Sequence, residues 1–319
     1  MNVKQMPNNA WFHFRLFLLL ALLWSGSFIN IKIVVNALPP IFCAMVRVMI
    51  SLVCLMVLFT IMRKKVFAPT LAYWRLWIAG FFVQALPFAL LFYGEKFIAP
   101  ALASILNSTV SIWALVLGAV IFRDVSQWTV IKIVGIILGF IGIMMIFAPF
   151  IRDGENSLIG IIAILGMAIS YAIGSLINQH IIFKKMQINS ETNLIQQHFS
   201  SSLFLLITSL TLESWPSLSS VFNLRLLLAF FYLGVMATAI AWMIYFYLLR
   251  EWGAVRTTSV MYLVPILAII WDFLFLHITP SINELIGMLA ILTGVTFIQW
   301  VRKPGKSINQ RMVNAQRSS

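Results

Sequence analysis

The stretch Ala101–Phe122, ALASILNSTVSIWALVLGAVIF, is long and apolar enough to cross a bilayer, yet it carries Ser104, Asn107, Ser108 and Ser111. Those residues fall at i, i+3, i+4 and i+7, so a helix places them on one face. A polar face inside a spanning helix is expensive unless it meets protein or water. This stretch therefore either bridges helices or lines a path for something hydrophilic.

The rest of the chain sets the medium. Its 319 residues are 61% hydrophobic and 10% charged, with a mean hydropathy of +0.98. Soluble chains carry about 25% charged residues, so the composition is that of a polytopic membrane protein, expected to be all-α from the helix-length apolar runs that follow. The net charge of +13 is no nucleic-acid signal, because the basic residues sit at the ends of apolar runs. Cys43 and Cys54 lie in one apolar run, about three turns apart, too far to bond to each other. Arg15 leads directly into a full-length apolar run, with no cleavable signal pattern.

A crossing takes about 20 apolar residues. Ten runs qualify: 14–35, 40–62, 71–94, 98–122, 128–149, 158–180, 192–212, 225–249, 255–276 and 282–301. The seventh opens on polar residues (Glu191, Thr192, Asn193, Gln196, Gln197, His198). With a cytoplasmic N-terminus, seventeen Lys and Arg fall on the inner side. Only Lys32, Lys96, Arg152 and Arg225 fall on the outer side, and Arg47 lies within a span. Positive-inside bias then puts both ends in the cytoplasm; the expected location is the inner (plasma) membrane.

The second half repeats the first. At a shift of 154, Gly80 aligns with Gly234, Phe88 with Trp242 and Tyr93 with Tyr247. Ser104, Asn107, Ser108 and Ser111 align with Thr258, Met261, Tyr262 and Pro265. Gly135 and Gly142 align with Gly287 and Gly294, and the Gly26–Asn30 segment with Gly174–Asn178. Five spans per unit is an odd number, so the second unit enters the membrane inverted, an arrangement typical of secondary transporters. The chain divides into 1–13 (cytoplasmic N-terminus), 14–149 (first unit), 158–301 (second unit) and 302–319 (basic tail).

With these features the chain resembles EamA-type transporters of the drug/metabolite transporter superfamily. The resemblance rests on Leu23-Trp24-Ser25-Gly26-Ser27-Phe28, Pro39-Pro40, Arg47, Ala101 to Asn107, Phe122-Arg123-Asp124 and Gly135 to Gly142. In the second half Tyr262-Leu263-Val264-Pro265 and Gly287 to Gly294 correspond. It covers about 14–301 and implies ten helices in two inverted five-helix repeats. Two acidic positions depart from the family pattern: Leu276-His277-Ile278, opposite Asp124, lacks an acid, and Val264 precedes Pro265.

Candidate residues follow from depth and polarity, and each has packing as its plain alternative. Ser104, Asn107 and Ser108 are the foremost substrate contacts, joined by Asn30 and Asn178 at matched positions and by Gln84. Trp24, Phe88, Trp242, Tyr245 and Tyr262 lie deep in spans, away from the interfacial aromatic belts, and would wall an amphipathic metabolite. Arg47 lies about 10 Å inside its helix. An unpaired Arg there costs about 2.5–3.5 kcal/mol, so it needs a partner such as Asp272 or Glu95; it is a gating charge, a site for a substrate carboxylate, or half of an ion pair. Asp124 is a further gate candidate, and Pro87 and Pro265 are hinges. Lys32 reads as a snorkelling residue, and Gly135-x-x-x-Gly139 as a close-packing face within or between subunits of a possible homodimer.

No catalytic set, metal spacing or cofactor motif is present, and no phosphate-cradling GxxxxGK[ST]. The expected activity is alternating-access export of small metabolites such as amino acids. A uniporter or exchanger of nucleoside-like compounds is the alternative, and a membrane enzyme is disfavoured by the scattered acids.

Overall fold

Apolar runs with so few charges can satisfy their backbone in a membrane only by forming helices or closing a barrel, and alternating strand patterns are missing here. The computed structural model describes residues 10–64, 73–98, 100–123, 128–152, 157–217, 221–267, 270 and 282–299, and every regular element among them is helical. In chain order these are α1 (Trp11–Val35), α2 (Pro40–Ile61), α3 (Tyr73–Phe97), α4 (Leu102–Phe122), α5 (Val130–Arg152), α6 (Leu158–Lys185), α7 (Ser190–Leu212), α8 (Leu224–Trp252), α9 (Ala254–Leu267) and α10 (Ile282–Gln299). Among the described residues six of them, α1 to α4, α6 and α8, are long and apolar enough to cross a membrane, while α5, α9 and α10 contribute shorter apolar runs.

Several helices change pitch. In α3 a π-helical segment spans Phe81–Ala85, just before Pro87. Proline lacks the N–H that would close an α-turn, so the chain widens there. Longer π segments, Asn178–Lys185 in α6 and Tyr232–Ile240 in α8, contain no proline. At Thr109 the α-helical pattern of α4 lapses, where Ser108 and Thr109 turn their hydroxyls onto the Ile105 and Leu106 carbonyls. Such back-bonding loosens a helix. In α9, Ser259–Tyr262 is 3₁₀-helical and leads into Pro265.

α1, α2, α3, α6 and α8 meet around a common centre. α7 packs on α2 and α3, so its polar first turns face protein rather than lipid. α5 and α10 pair with each other at the side of the bundle. Their seam is made of glycines: a β-carbon on Gly294 would stand 2.5 Å from the Gly135 carbonyl oxygen and 2.7 Å from the Gly139 nitrogen. The Gly135-x-x-x-Gly139 face is thus used within the chain. Asp124, Asp272 and the tail 302–319 lie outside the described residues.

Candidate functional site

The centre of the bundle is built around Arg47, 3% exposed on α2. Its Nε donates to Thr238 Oγ1 at 2.6 Å and its Nη2 to the Ala237 carbonyl at 3.2 Å. Trp24 Nε1 donates to that same carbonyl at 3.0 Å. The acceptors are available because both residues belong to the π segment of α8, where the Thr238 hydroxyl reaches back to the Leu233 carbonyl at 2.6 Å. The guanidinium also lies 4.3 Å from the centroid of Phe88 and 5.9 Å from that of Phe92, both on α3. Cation–π contact compensates a desolvated guanidinium in part.

Around it stands an aromatic cage. Trp242 is 4.9 Å from Tyr245, 6.0 Å from Trp24, 6.2 Å from Phe88 and 6.1 Å from Tyr171, centroid to centroid. Tyr245 shares a 2.5 Å hydrogen bond with Ser175 of α6. Sequence reasoning named Trp24, Phe88, Trp242 and Tyr245, and the fold gathers all four. It missed Tyr171, Ser175 and Thr238; a tyrosine at mid-span was the available signal for the first.

The polar stripe of α4 meets a different neighbour. Asn107 Nδ2 donates to the Met261 sulfur at 3.1 Å and Ser111 to Thr258 Oγ1 at 3.1 Å, both across to α9. Asn107 Oδ1 is buried with no partner among the described residues. Ser104 and Ser108 are buried, and Tyr262 packs against Gly139 of α5. This stripe and the α9 turn form a second polar seam beside the cage, which α1 also touches.

Other candidates are placed apart from both. Asn178 is buried in a network: its Oδ1 accepts from Asn193 and Gln197 of α7, each at 2.7 Å, and its Nδ2 donates to the Gly174 carbonyl at 2.9 Å. Asn30, half-buried, makes the same local bond to the Gly26 carbonyl at 2.8 Å. Gln84 donates from Nε2 to the ring of His198, itself on the Leu194 carbonyl. Pro87 and Pro265 are buried beside the pitch changes described above. Lys32 does not snorkel freely: its Nζ donates to the carbonyls of Glu95 (2.7 Å) and Ile98 (3.1 Å), closing the C-terminal end of α3. Arg47 makes no ion pair with Glu95; its partners are a hydroxyl, a carbonyl and two rings. Backbone freed by the α8 π segment had no signature in the sequence.

Cavities lie at both ends of α1, with the cage between them. One, about 510 Å³, is lined by Phe12, Leu16, Phe59, Lys64, Glu191 and Phe246. Its Phe246 wall stands 5.4 Å from Trp242, so one ring separates this vestibule from the cage. A 3.0 Å ion pair between Lys64 and Glu191 crosses the vestibule rim. Another cavity, about 470 Å³, is lined by Lys32, Asn36, Pro100, Asn223 and Arg225.

The chain is thus a helical bundle with a buried polar–aromatic centre and a cavity toward each end of α1. The EamA-like transporter family pattern matches residues 13–148 and again 158–300, and the chain belongs to that family. It is 24% identical over 284 residues to the uncharacterized transporter YoaV of Bacillus subtilis, covering 86% of this chain and 92% of YoaV. It is 26% identical to a probable amino-acid metabolite efflux pump of Salmonella typhimurium (87% of this chain, 91% of the relative) and 25% identical to one of Escherichia coli with the same coverage. One solved crystal structure superposes with a TM-score of 0.72 at 16% identity, covering 91% of this chain and 97% of the other, which shows the fold alone.

Proposed function

We propose that the protein is a secondary-active carrier that exports small metabolites, amino acids foremost, across the inner membrane by alternating access. The observation that carries this is the buried cage of Arg47, Trp24, Phe88 and Trp242 between vestibules at opposite ends of α1. A site closed on both sides, with openings that approach it from each, suits a carrier in an occluded state. The two relatives named as probable amino-acid metabolite efflux pumps favour amino acids and the outward direction.

In this reading ten helices cross as two inverted repeats, 14–149 and 158–301, with both ends cytoplasmic. Contacts that interchange between matched positions support it. Gly135 approaches Gly294, and Gly142, the counterpart of Gly294, approaches Gly287, the counterpart of Gly135. The π segments Phe81–Ala85 and Tyr232–Ile240 overlap at the same shift of 154 that brings Asn107 onto Met261. Rocking of one repeat against the other would open each vestibule in turn.

Counterflow in proteoliposomes tests the proposal, using a pool of labelled amino acids and nucleosides. Saturable, trans-stimulated amino-acid flux is the expected result. Flux without trans-stimulation would make the protein a channel, and trans-stimulated nucleoside flux alone would replace the substrate class.

A further inference from the structure

We propose that Arg47 and Glu95 form a two-charge subsite that holds the carboxylate and the ammonium group of a zwitterionic amino acid. This rests on the carrier reading and gives its substrate a recognition chemistry.

Glu95 ends the same face of α3 that Arg47 covers. The guanidinium lies over Phe88 and Phe92, and Glu95 follows them at i+7 and i+3, on one helical face. Glu95 is fully buried, and both of its carboxylate oxygens are without a hydrogen-bond partner among the described residues. Lys32 comes close but bonds the backbone carbonyls of Glu95 and Ile98 rather than the carboxylate. Arg47 is anchored through Nε and Nη2, while its Nη1 is buried and unbonded. Trp242 Nε1, on the cage wall, is likewise buried without a partner.

Lys32 bonds the Glu95 main-chain carbonyl and Arg47 lies over Phe92, one turn before Glu95, yet neither closes an ion pair onto the Glu95 carboxyl. A structural salt bridge in a dry interior gains its energy from close, well-bonded geometry, and unbonded buried charges are costly. A guanidinium and a carboxyl group held near each other, each with free bonding capacity, complement a ligand that brings a carboxylate to the first and an ammonium to the second. A simple anion would leave Glu95 uncompensated, and a simple cation would leave Arg47 so. Phe88 and Trp242 would take the ligand's apolar side chain.

The test uses full-length protein in liposomes loaded with the pool of twenty labelled L-amino acids. For the amino acid carried fastest, its deaminated acid and its decarboxylated amine are then compared with it. Wild type should favour the zwitterion over each analogue by about tenfold or more, since a site built around a polar group rejects the analogue lacking it. Glu95→Gln, near-isosteric and checked for an unchanged melting temperature, should lose most of the preference over the deaminated acid. Glu95→Asp should restore part of it. A folded Glu95→Gln protein with wild-type selectivity overturns the proposal, as does one that keeps selectivity but loses its response to a pH gradient, which would make Glu95 a proton carrier. Wild type that carries the amine or the acid as well as the amino acid overturns it without any variant. A wild type that carries no amino acid refutes the substrate reading itself, and the subsite with it.

Discussion

Asn107 donates its side-chain amide to the sulfur of Met261, the residue 154 positions later that occupies the matching place in the second half of the chain. A thioether is a weak acceptor, and the Asn107 carbonyl oxygen is buried without a partner among the described residues. The amide is therefore poorly used by the fold. Asn107→Leu should leave stability within about 1 kcal/mol of wild type and lower counterflow about tenfold or more. Undiminished flux in the folded variant would reduce the stripe to helix packing.

Arg47 is held by Thr238, and the bond is buried on both sides. Thr238→Val removes the acceptor while keeping the shape, leaving Arg47 Nε unsatisfied. The expected cost is about 1–3 kcal/mol, read as a lower melting temperature in detergent. Arg47→Lys should be no milder, because an ammonium cannot both lie flat on Phe88 and fork between Thr238 and Ala237. Equal stability of all three proteins would show that these bonds do not hold the centre.

The Asn178–Asn193–Gln197 network joins α6 to α7 with all three residues fully buried. Removing one member orphans the others. Asn178→Leu should destabilise by about 1–3 kcal/mol, and Asn193→Leu added to it should cost less than its effect alone. Additive losses in that double-mutant cycle would mean that the residues act independently.

At the α5–α10 seam backbone meets backbone. A side chain on Gly294 has nowhere to go, since the nearest atoms belong to the Gly135 carbonyl and the Gly139 main chain. Gly294→Ala should cost about 1–3 kcal/mol, and Gly294→Val more. An unchanged melting temperature for either would place the two helices further apart.

Across the bundle Glu213, just past the end of α7, accepts from the amides of Ile41 (2.8 Å) and Phe42 (2.7 Å), capping α2 through space. Glu213→Ala should lose about 0.5–2 kcal/mol, the usual worth of an N-cap, with Glu213→Gln intermediate. A loss confined to Glu213→Gln alone would contradict the capping role.

Much of this was legible in the sequence because it depends on local pattern. The i, i+3, i+4, i+7 polarity of α4 foretold a face turned inward, and the fold sets Asn107 and Ser111 against α9. Glycine spacing foretold close approach on α5, and the hinge expected at Pro87 falls beside the π segment of α3. What depends on widened turns was not legible. The π segments of α6 and α8 carry no proline, so nothing announced that Ala237 and Thr238 would be free to bind Arg47. The seventh run opens on polar residues, and α7 is not among the helices apolar enough to cross a membrane. At Asn193, Gln197 and Ser201 they recur every four residues, the spacing of one buried helix face, which α2, α3 and α6 cover.

A π turn contains one residue more than the α-turns on either side of it, and that surplus is not tied to one address. Passing it along by a single position rotates the side chain it crosses by about 100° while both helix ends stay where they are. In α8 such a step would withdraw the Ala237 carbonyl from Trp24 and Arg47 together. Two helices are thus moored to a single peptide of a third, so α1 and α2 share one point of attachment on α8.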